Sequence, residues 1–95
     1  MNDIRFEWDA EKASANCEKH NVSFDEGVTV FNDPLIVTMA DSSHSDSEER
    51  FISIGASVRG RLLVVVHTER RSRTRIISCR KATPRERKTY EKLNE

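Results

Sequence analysis

The sequence predicts an α+β fold: an antiparallel β-sheet packed by two N-terminal helices, with a C-terminal helix. Three observations predict it. From Leu35 to Cys79, strand-like apolar stretches follow one another across polar connections, two of them short turns, the pattern of an antiparallel meander. Upstream of them stand two helix-start signals, Asp9 and Ser23 with Glu26 three residues on. Downstream, Thr83, Pro84 and Glu86 supply an N-cap, an N1 proline and a capping-box acid together.

Each element follows from local chemistry. Ile4 to Trp8 reads as a short edge strand. Asp9 caps a helix whose first turn carries Glu11, favourable at the positive end of the dipole. Ala10, Ala13, Cys17 and His20 recur at helical spacing and form its apolar stripe. The helix ends near Asn21, a residue that tolerates the left-handed conformation of a C-cap. A second, shorter helix starts at Ser23, with Phe24, Val28 and Phe31 on its apolar side, and stops at Asp33-Pro34. Leu35 to Ala40 is the first strand of the meander. Asp41 to Glu48 is a polar, serine-rich loop of the kind that is usually mobile. Phe51 to Val58 is the next strand, turned by Arg59-Gly60 into Leu62 to Thr68. The turn at Arg71 to Arg73 lacks glycine and leads into Arg75 to Cys79. The last helix runs to about Leu93. One face of the sheet is expected to bury its aliphatic side chains against the helices, and the other to stay polar and open.

Ninety-five residues suit a single domain, residues 1–95, with no internal boundary or repeat. The chain is 36% hydrophobic and 34% charged, enough for a small core inside a heavily charged exterior. No apolar run approaches the roughly 20 residues that span a bilayer, and Met1 to Glu7 lacks the apolar core of a secretory signal. These features predict a soluble cytoplasmic protein. Cys17 and Cys79 lie in different elements without metal-type spacing and read as small buried hydrophobes. His44 stands near Asp41, Asp46 and Glu48, yet nothing repeats at ligand spacing. Neither a metal nor a cofactor is expected.

Net charge is zero, but its distribution is lopsided. From Arg59 onward there are twelve basic and four acidic residues, a net +8, balanced by −8 in the remainder. Such a segment, rich in Arg rather than Lys, predicts a polyanionic partner, and guanidinium's bidentate fit to phosphate favours nucleic acid. Within it, His67 and Glu69 lie on one face of their strand and Thr68 on the other. Arg80 and Lys81 close the following strand, and Tyr90 comes one helix later. RNA can be cut without metal when its 2′-hydroxyl attacks the adjacent phosphate. The protein then moves two protons and stabilises the phosphorane. His67 is a candidate acid or base, Glu69 its orienter or a base, and Tyr90 a stacking or proton-donating group. Arg80 holds the phosphate, with Arg70, Lys81 and Arg61 adding positive charge. The expectation is that cationic groups of the last two strands and the final helix converge with His67 on one scissile linkage. The alternative is a non-catalytic module that binds nucleic acid or a partner through the same basic surface.

The strings FEWDAEKASANCEKHNVSFDEG (Phe6 to Gly27), VFNDP (Val30 to Pro34), EERFISIGAS (Glu48 to Ser57), GRLLVVVHTER (Gly60 to Arg70) and RIISCRKATPRERKTYE (Arg75 to Glu91) occur here together and in order. In this the chain resembles the BrnT toxins of bacterial type II toxin–antitoxin systems, over nearly its whole length. The resemblance implies a RelE-related fold and a ribonuclease toxin that inhibits translation. It implies a BrnA-like antitoxin, joined to the toxin in a hetero-oligomer built on an antitoxin dimer. Operator DNA would be reached only through the antitoxin. By the same resemblance, Arg80 and Tyr90 stand where RelE relatives place a C-terminal Arg and Tyr, and His67 and Glu69 belong to the HTER string. The chain departs from the pattern at Asn21, where glycine is common, and at Cys79, where alanine is usual.

Overall fold

The computed structural model describes residues 5–42 and 48–95, so the serine-rich stretch at 43–47, with His44, and the start of the N-terminal segment lie outside the described residues. Among the described residues the order is β1 (Phe6–Glu7), α1 (Ala10–His20), α2 (Phe24–Thr29), a 3₁₀ turn (Val30–Asn32), β2 (Val37–Ala40), β3 (Arg50–Ala56), β4 (Leu62–Arg70), β5 (Arg73–Lys81) and α3 (Pro84–Leu93). The sheet order is β1-β5-β4-β3-β2. The four long strands form the expected antiparallel meander, while β1 adds in parallel to the outer side of β5. None of the described helices is long and apolar enough to cross a membrane.

The caps follow the local chemistry. Asp9 accepts a hydrogen bond from the Lys12 amide, and Asn21 takes φ 57° at the C-cap of α1. Thr83 and Glu86 form a complete capping box at α3. At α2 only half of the box closes. Ser23 Oγ accepts from the Glu26 amide at 3.0 Å, but the Glu26 carboxylate turns inward to Arg61 and Ser57. Gly60 makes the β3–β4 turn at φ 81°. The glycine-free turn between β4 and β5 closes with Arg71 at φ 56°, a conformation that costs an ordinary side chain on the order of 1 kcal/mol.

Two layers cover the sheet. On one face Leu63, Val65, Ile76 and Cys79 meet Val22, Phe24 and Val30 from the α1–α2 layer. On the other, Ile54, Leu62 and Val64 form a smaller core under Tyr90 of α3. The second face is therefore not left wholly open, because α3 needs an apolar platform of its own. The stripe of α1 also differs from expectation: Cys17 is exposed, and Asn16 is the residue of α1 that is buried. The Asn16 amide donates to the carbonyls of Val22 and Cys79 and accepts from the Cys79 amide, all within 3.1 Å. An apolar side chain there would leave buried backbone groups unpaired, a cost of about 1–3 kcal/mol each. Cys79 is buried as expected, and burial pushes its thiol up to about 12.

Close approach of α2 to β5 depends on Gly27, where an added Cβ would stand 2.2 Å from Cys79 Sγ. Gly27→Ala is expected to lower the free energy of unfolding by about 1–3 kcal/mol, read from urea denaturation. Adding Cys79→Ala should return part of that loss, since it removes the clashing atom; strictly additive losses would contradict the contact.

Candidate active site

The placement of the site follows from one irregularity in the sheet. Strands β4 and β5 pair without interruption from Leu63–Lys81 to Val66–Ser78, and then His67 stands opposite Ile76. Ile77 is thus an extra residue on β5, a β-bulge, which inverts the alternation of its strand. Ile76 enters the α1–α2 core together with Cys79. Arg75 and Arg73 come round to the side of Ser78 and Arg80.

The expected convergence does not form: His67 and Arg80 lie on opposite faces. His67 follows Leu63 and Val65 on the α1–α2 side, whereas Arg80 pairs with Val64 and reaches α3. His67 is 4% exposed, its ring 5.0 Å from Phe31 and 5.8 Å from Phe51. Its Nε2 shares a 2.8 Å hydrogen bond with Ser53 Oγ, which in turn lies 2.7 Å from Thr38 Oγ1. Glu69 is exposed and accepts from Thr74 Oγ1; its carboxylate stands 3.9 Å from His67 Nδ1, which has no hydrogen-bond partner among the described residues. Burial holds the imidazole below its ordinary pKa, and the charge of Glu69 pulls the other way without overcoming it. Lys81 pairs with Leu63 at the sheet's end and is exposed. Arg61 is committed to Glu26 and to the Asn21 carbonyl. Its hydrogen bond, ahead of any other influence, holds the buried Glu26 carboxyl below its usual range.

The opposite face gathers Arg70, Arg80 and Tyr90. The register lays it out in rows across the strands. Val37, Ile54, Val64 and Arg80 form the row beneath α3. Met39, Ile52, Val66 and Ser78 form the next, then Arg50, Thr68 and Arg75 with Glu7 alongside, and last Arg70 with Arg73. Arg80 makes two 2.7 Å bonds to Glu86, which it holds down at a pKa of about 2. The Tyr90 hydroxyl donates to Asp33 at 2.6 Å, and that bond with burial raises it to about 12. Arg70 grips Glu48 through two nitrogens, and Arg75 reaches Glu7 at 3.0 Å with Arg73 at 3.8 Å. The Arg70 bond, reinforced by the fields of Arg75 and Arg50, keeps the Glu48 carboxyl below its usual range. Beneath these arginines Thr68 is buried, and its hydroxyl has no partner among the described residues.

Five guanidinium groups therefore share one face of three adjacent strands: Arg50, Arg70, Arg73, Arg75 and Arg80. Only Arg70 and Arg80 of these were singled out from the sequence. The alternation Arg73-x-Arg75 was legible as two cations on one side, but the bulge that decides which side was not. Arg80, Arg75 and Arg73 line β5 over about 20 Å at a rise of about 3.3 Å per residue. Such a strip can hold consecutive phosphates of a single strand, as basic grooves do. Among the described residues no three His, Cys, Asp or Glu side chains gather as metal ligands.

Burying His67 in its neutral form makes stability depend on pH. With its folded pKa below the unfolded 6.5, the unfolded chain binds the proton first. Its contribution is therefore complete above about 6.5 and declines as pH falls towards the folded value. The slope in that window reaches about 1.4 kcal/mol per pH unit. Urea midpoints taken from pH 7.5 to 5.5 should fall more steeply for the natural chain than for His67→Gln. Parallel slopes would show that His67 does not titrate with unfolding.

Residues 8–86, most of the chain, match the family of the ribonuclease toxin BrnT of type II toxin–antitoxin systems. No curated protein sequence matches it. Among solved structures, the 1.1 Å crystal structure of the Brucella abortus ribonuclease toxin BrnT is similar at a TM-score of 0.65 and 19% identity. The likeness covers 85% of this chain and 99% of that one. At that identity it speaks for the shared fold, and the family match carries the rest. The chain belongs to the BrnT family of ribonuclease toxins from type II toxin–antitoxin systems.

Proposed function

We propose that this chain cleaves RNA without metal on the arginine-bearing face, inhibits translation by doing so, and is neutralised by a BrnA-like antitoxin. The observation that carries this reading is the strip of guanidinium groups on β3, β4 and β5. The RNA backbone lies along β5, its phosphates on Arg75 and Arg73, while Arg80 stays on Glu86 and adds its charge to the strip. Arg70 and Arg50 flank the reacting group. The 2′-oxygen bonds to phosphorus as the bond from phosphorus to the 5′-oxygen breaks, leaving a 2′,3′-cyclic phosphate and a 5′-hydroxyl. Charge building on the phosphorane is met by guanidinium groups already in position, which is where most of the rate gain arises.

Protons move on the same face. Glu48 and Glu7 occupy these arginines in the free protein. An entering phosphate displaces the Glu48 carboxylate from Arg70 and leaves it free to accept the 2′-hydroxyl proton, while water protonates the leaving oxygen. His67, shut between Phe31 and Phe51 on the other side, has no part in this scheme, and Tyr90 holds α3 to Asp33.

Purified protein is expected to cut a single-stranded RNA oligonucleotide in excess EDTA, giving 2′,3′-cyclic ends. Arg75→Ala and Arg70→Ala should each slow cleavage roughly 10²–10³-fold, and His67→Gln should leave it nearly unchanged at pH 7.5. RNA that binds with a steep salt dependence yet stays intact would replace this reading with the non-catalytic binding module. Cleavage that stops in EDTA would refute metal independence, and equal loss in His67→Gln would refute the choice of face.

A further inference from the structure

We propose that the part of this face beside α3 is the docking surface for an acidic amphipathic helix of the neutralising partner, which covers the arginines that RNA needs. The proposal rests on the toxin reading for the existence of such a partner, and on the surface itself for its chemistry.

The surface has two adjoining strips. Met39, Ile52 and Val66 form an aliphatic row across β2, β3 and β4, each residue directly opposite the next. Met39 is 38% exposed, and the other two are only partly buried. The neighbouring row presents Arg50 and Arg75, with Arg70 beyond. With strands about 4.8 Å apart, the aliphatic row spans about 10 Å. That matches residues i, i+4 and i+7 along two turns of a helix at 1.5 Å per residue. α3 already sits on the preceding row through Tyr90. A second helix packs about 8–10 Å from such a neighbour, and rows on one face repeat at about 6.8 Å. A helix laid along the aliphatic row beside α3 would have its axis between that row and the row of Arg50 and Arg75. One side of that helix meets methyl and thioether groups, and the flank away from α3 meets guanidinium.

Charge selects the occupant. Carboxylates fit these arginines, since Glu48 and Glu7 already sit on Arg70 and Arg75 at 3.0 Å. Among the described residues, Glu7, Glu48 and Asp41, whose amide donates to the Arg50 carbonyl, stand against Arg50, Arg70, Arg73 and Arg75, which leaves positive charge in excess for incoming Asp or Glu. Unpaired bases prefer aromatic platforms, and the row holds none, so its aliphatic character favours a protein helix over RNA. The helix and the RNA backbone then compete for the same guanidinium groups.

Met39 lies outside the cleavage machinery, which makes Met39→Asp the discriminating variant. The antitoxin of the chain's own operon serves as the probe. Cells making Met39→Asp with the antitoxin should stop growing, whereas the natural pair grows. Purified Met39→Asp should cut RNA at the natural rate but bind the antitoxin at least 10-fold more weakly. A second measurement does not depend on loss of function: in a Cys17→Ser background, the thiol of Met39→Cys should react with maleimide in the free protein and be shielded in the complex. Cross-linking from that thiol should capture an acidic, amphipathic helical segment. Full neutralisation of Met39→Asp, an unshielded thiol, a captured segment of other chemistry, or shielding by RNA in place of the antitoxin would each overturn the proposal. Failure of the toxin reading looks different: the natural chain alone would then leave growth and RNA untouched.

Discussion

The single extra residue at Ile77 is the constraint on which the rest of this molecule depends. Strand β5 must serve two masters along nine residues: at one end it supplies Cys79 to the α1–α2 core, at the other it carries Arg73 and Arg75. Strict alternation would put those arginines on the side of Cys79, beneath the helices, where unpaired guanidinium is prohibitively costly to bury. It would also turn Ile76 away from the core that it fills at 1% exposure. The bulge resolves both conflicts in one step by inverting the alternation between Ile76 and Ser78. One residue thus separates a dry face from a cationic one.

The helical layer depends on polar groups as much as on apolar ones. Asn16 stitches α1 to β5 by satisfying backbone that would otherwise be buried unpaired. Glu26 and Arg61 join α2 to the start of β4, with Ser57 donating to the same carboxylate at 2.7 Å. Asp33 does the equivalent for the opposite layer. Burial works against its charge, but hydrogen bonds from the Ala56 amide, the Tyr90 hydroxyl and the Leu35 amide outweigh it and keep the carboxyl below its usual range. Tyr90 is therefore tied down by the fold, and the last helix is fixed to the 3₁₀ turn from the far side of the sheet.

What could be read from the chain beforehand follows the range of each interaction. Caps are decided within four residues, so Asp9, Asn21 and the Thr83–Glu86 box were legible, as was the meander with its Gly60 turn. Pairing across the sequence was not. Nothing near Glu26 announces Arg61, and nothing near Cys79 calls for Asn16 in place of the more apolar Cys17. At the site, the basic character of the last two strands was plain, and Arg70 and Arg80 do share a face. His67 is separated from Arg70 by the odd step of three residues along β4, and from Arg80 by the register that pairs Arg80 with Val64; only the second of these lies beyond the sequence. The parallel addition of β1, which brings Glu7 to Arg75 from 68 positions away, had no local signal at all.

The distribution of ion pairs separates the arginines that serve the fold from those available to a ligand. Arg61 meets a carboxylate that is only 5% exposed, and Arg80 is locked in two-point contact with a capping-box glutamate. These pairs hold elements together, and removing one partner strands the other. Arg70 meets the exposed carboxylate of Glu48, and Arg73 and Arg75 share the single half-buried carboxylate of Glu7, which caps no helix. A solvent-screened pair such as Arg70–Glu48 adds little to stability, so an incoming phosphate or carboxylate can exchange with it at little cost. A charged face held shut by weak internal partners is well suited to a protein that must be active alone and silent in a complex. In the proposed scheme, the same guanidinium groups would pass from Glu7 and Glu48 to substrate, or to an inhibitor, without any change in the sheet beneath them.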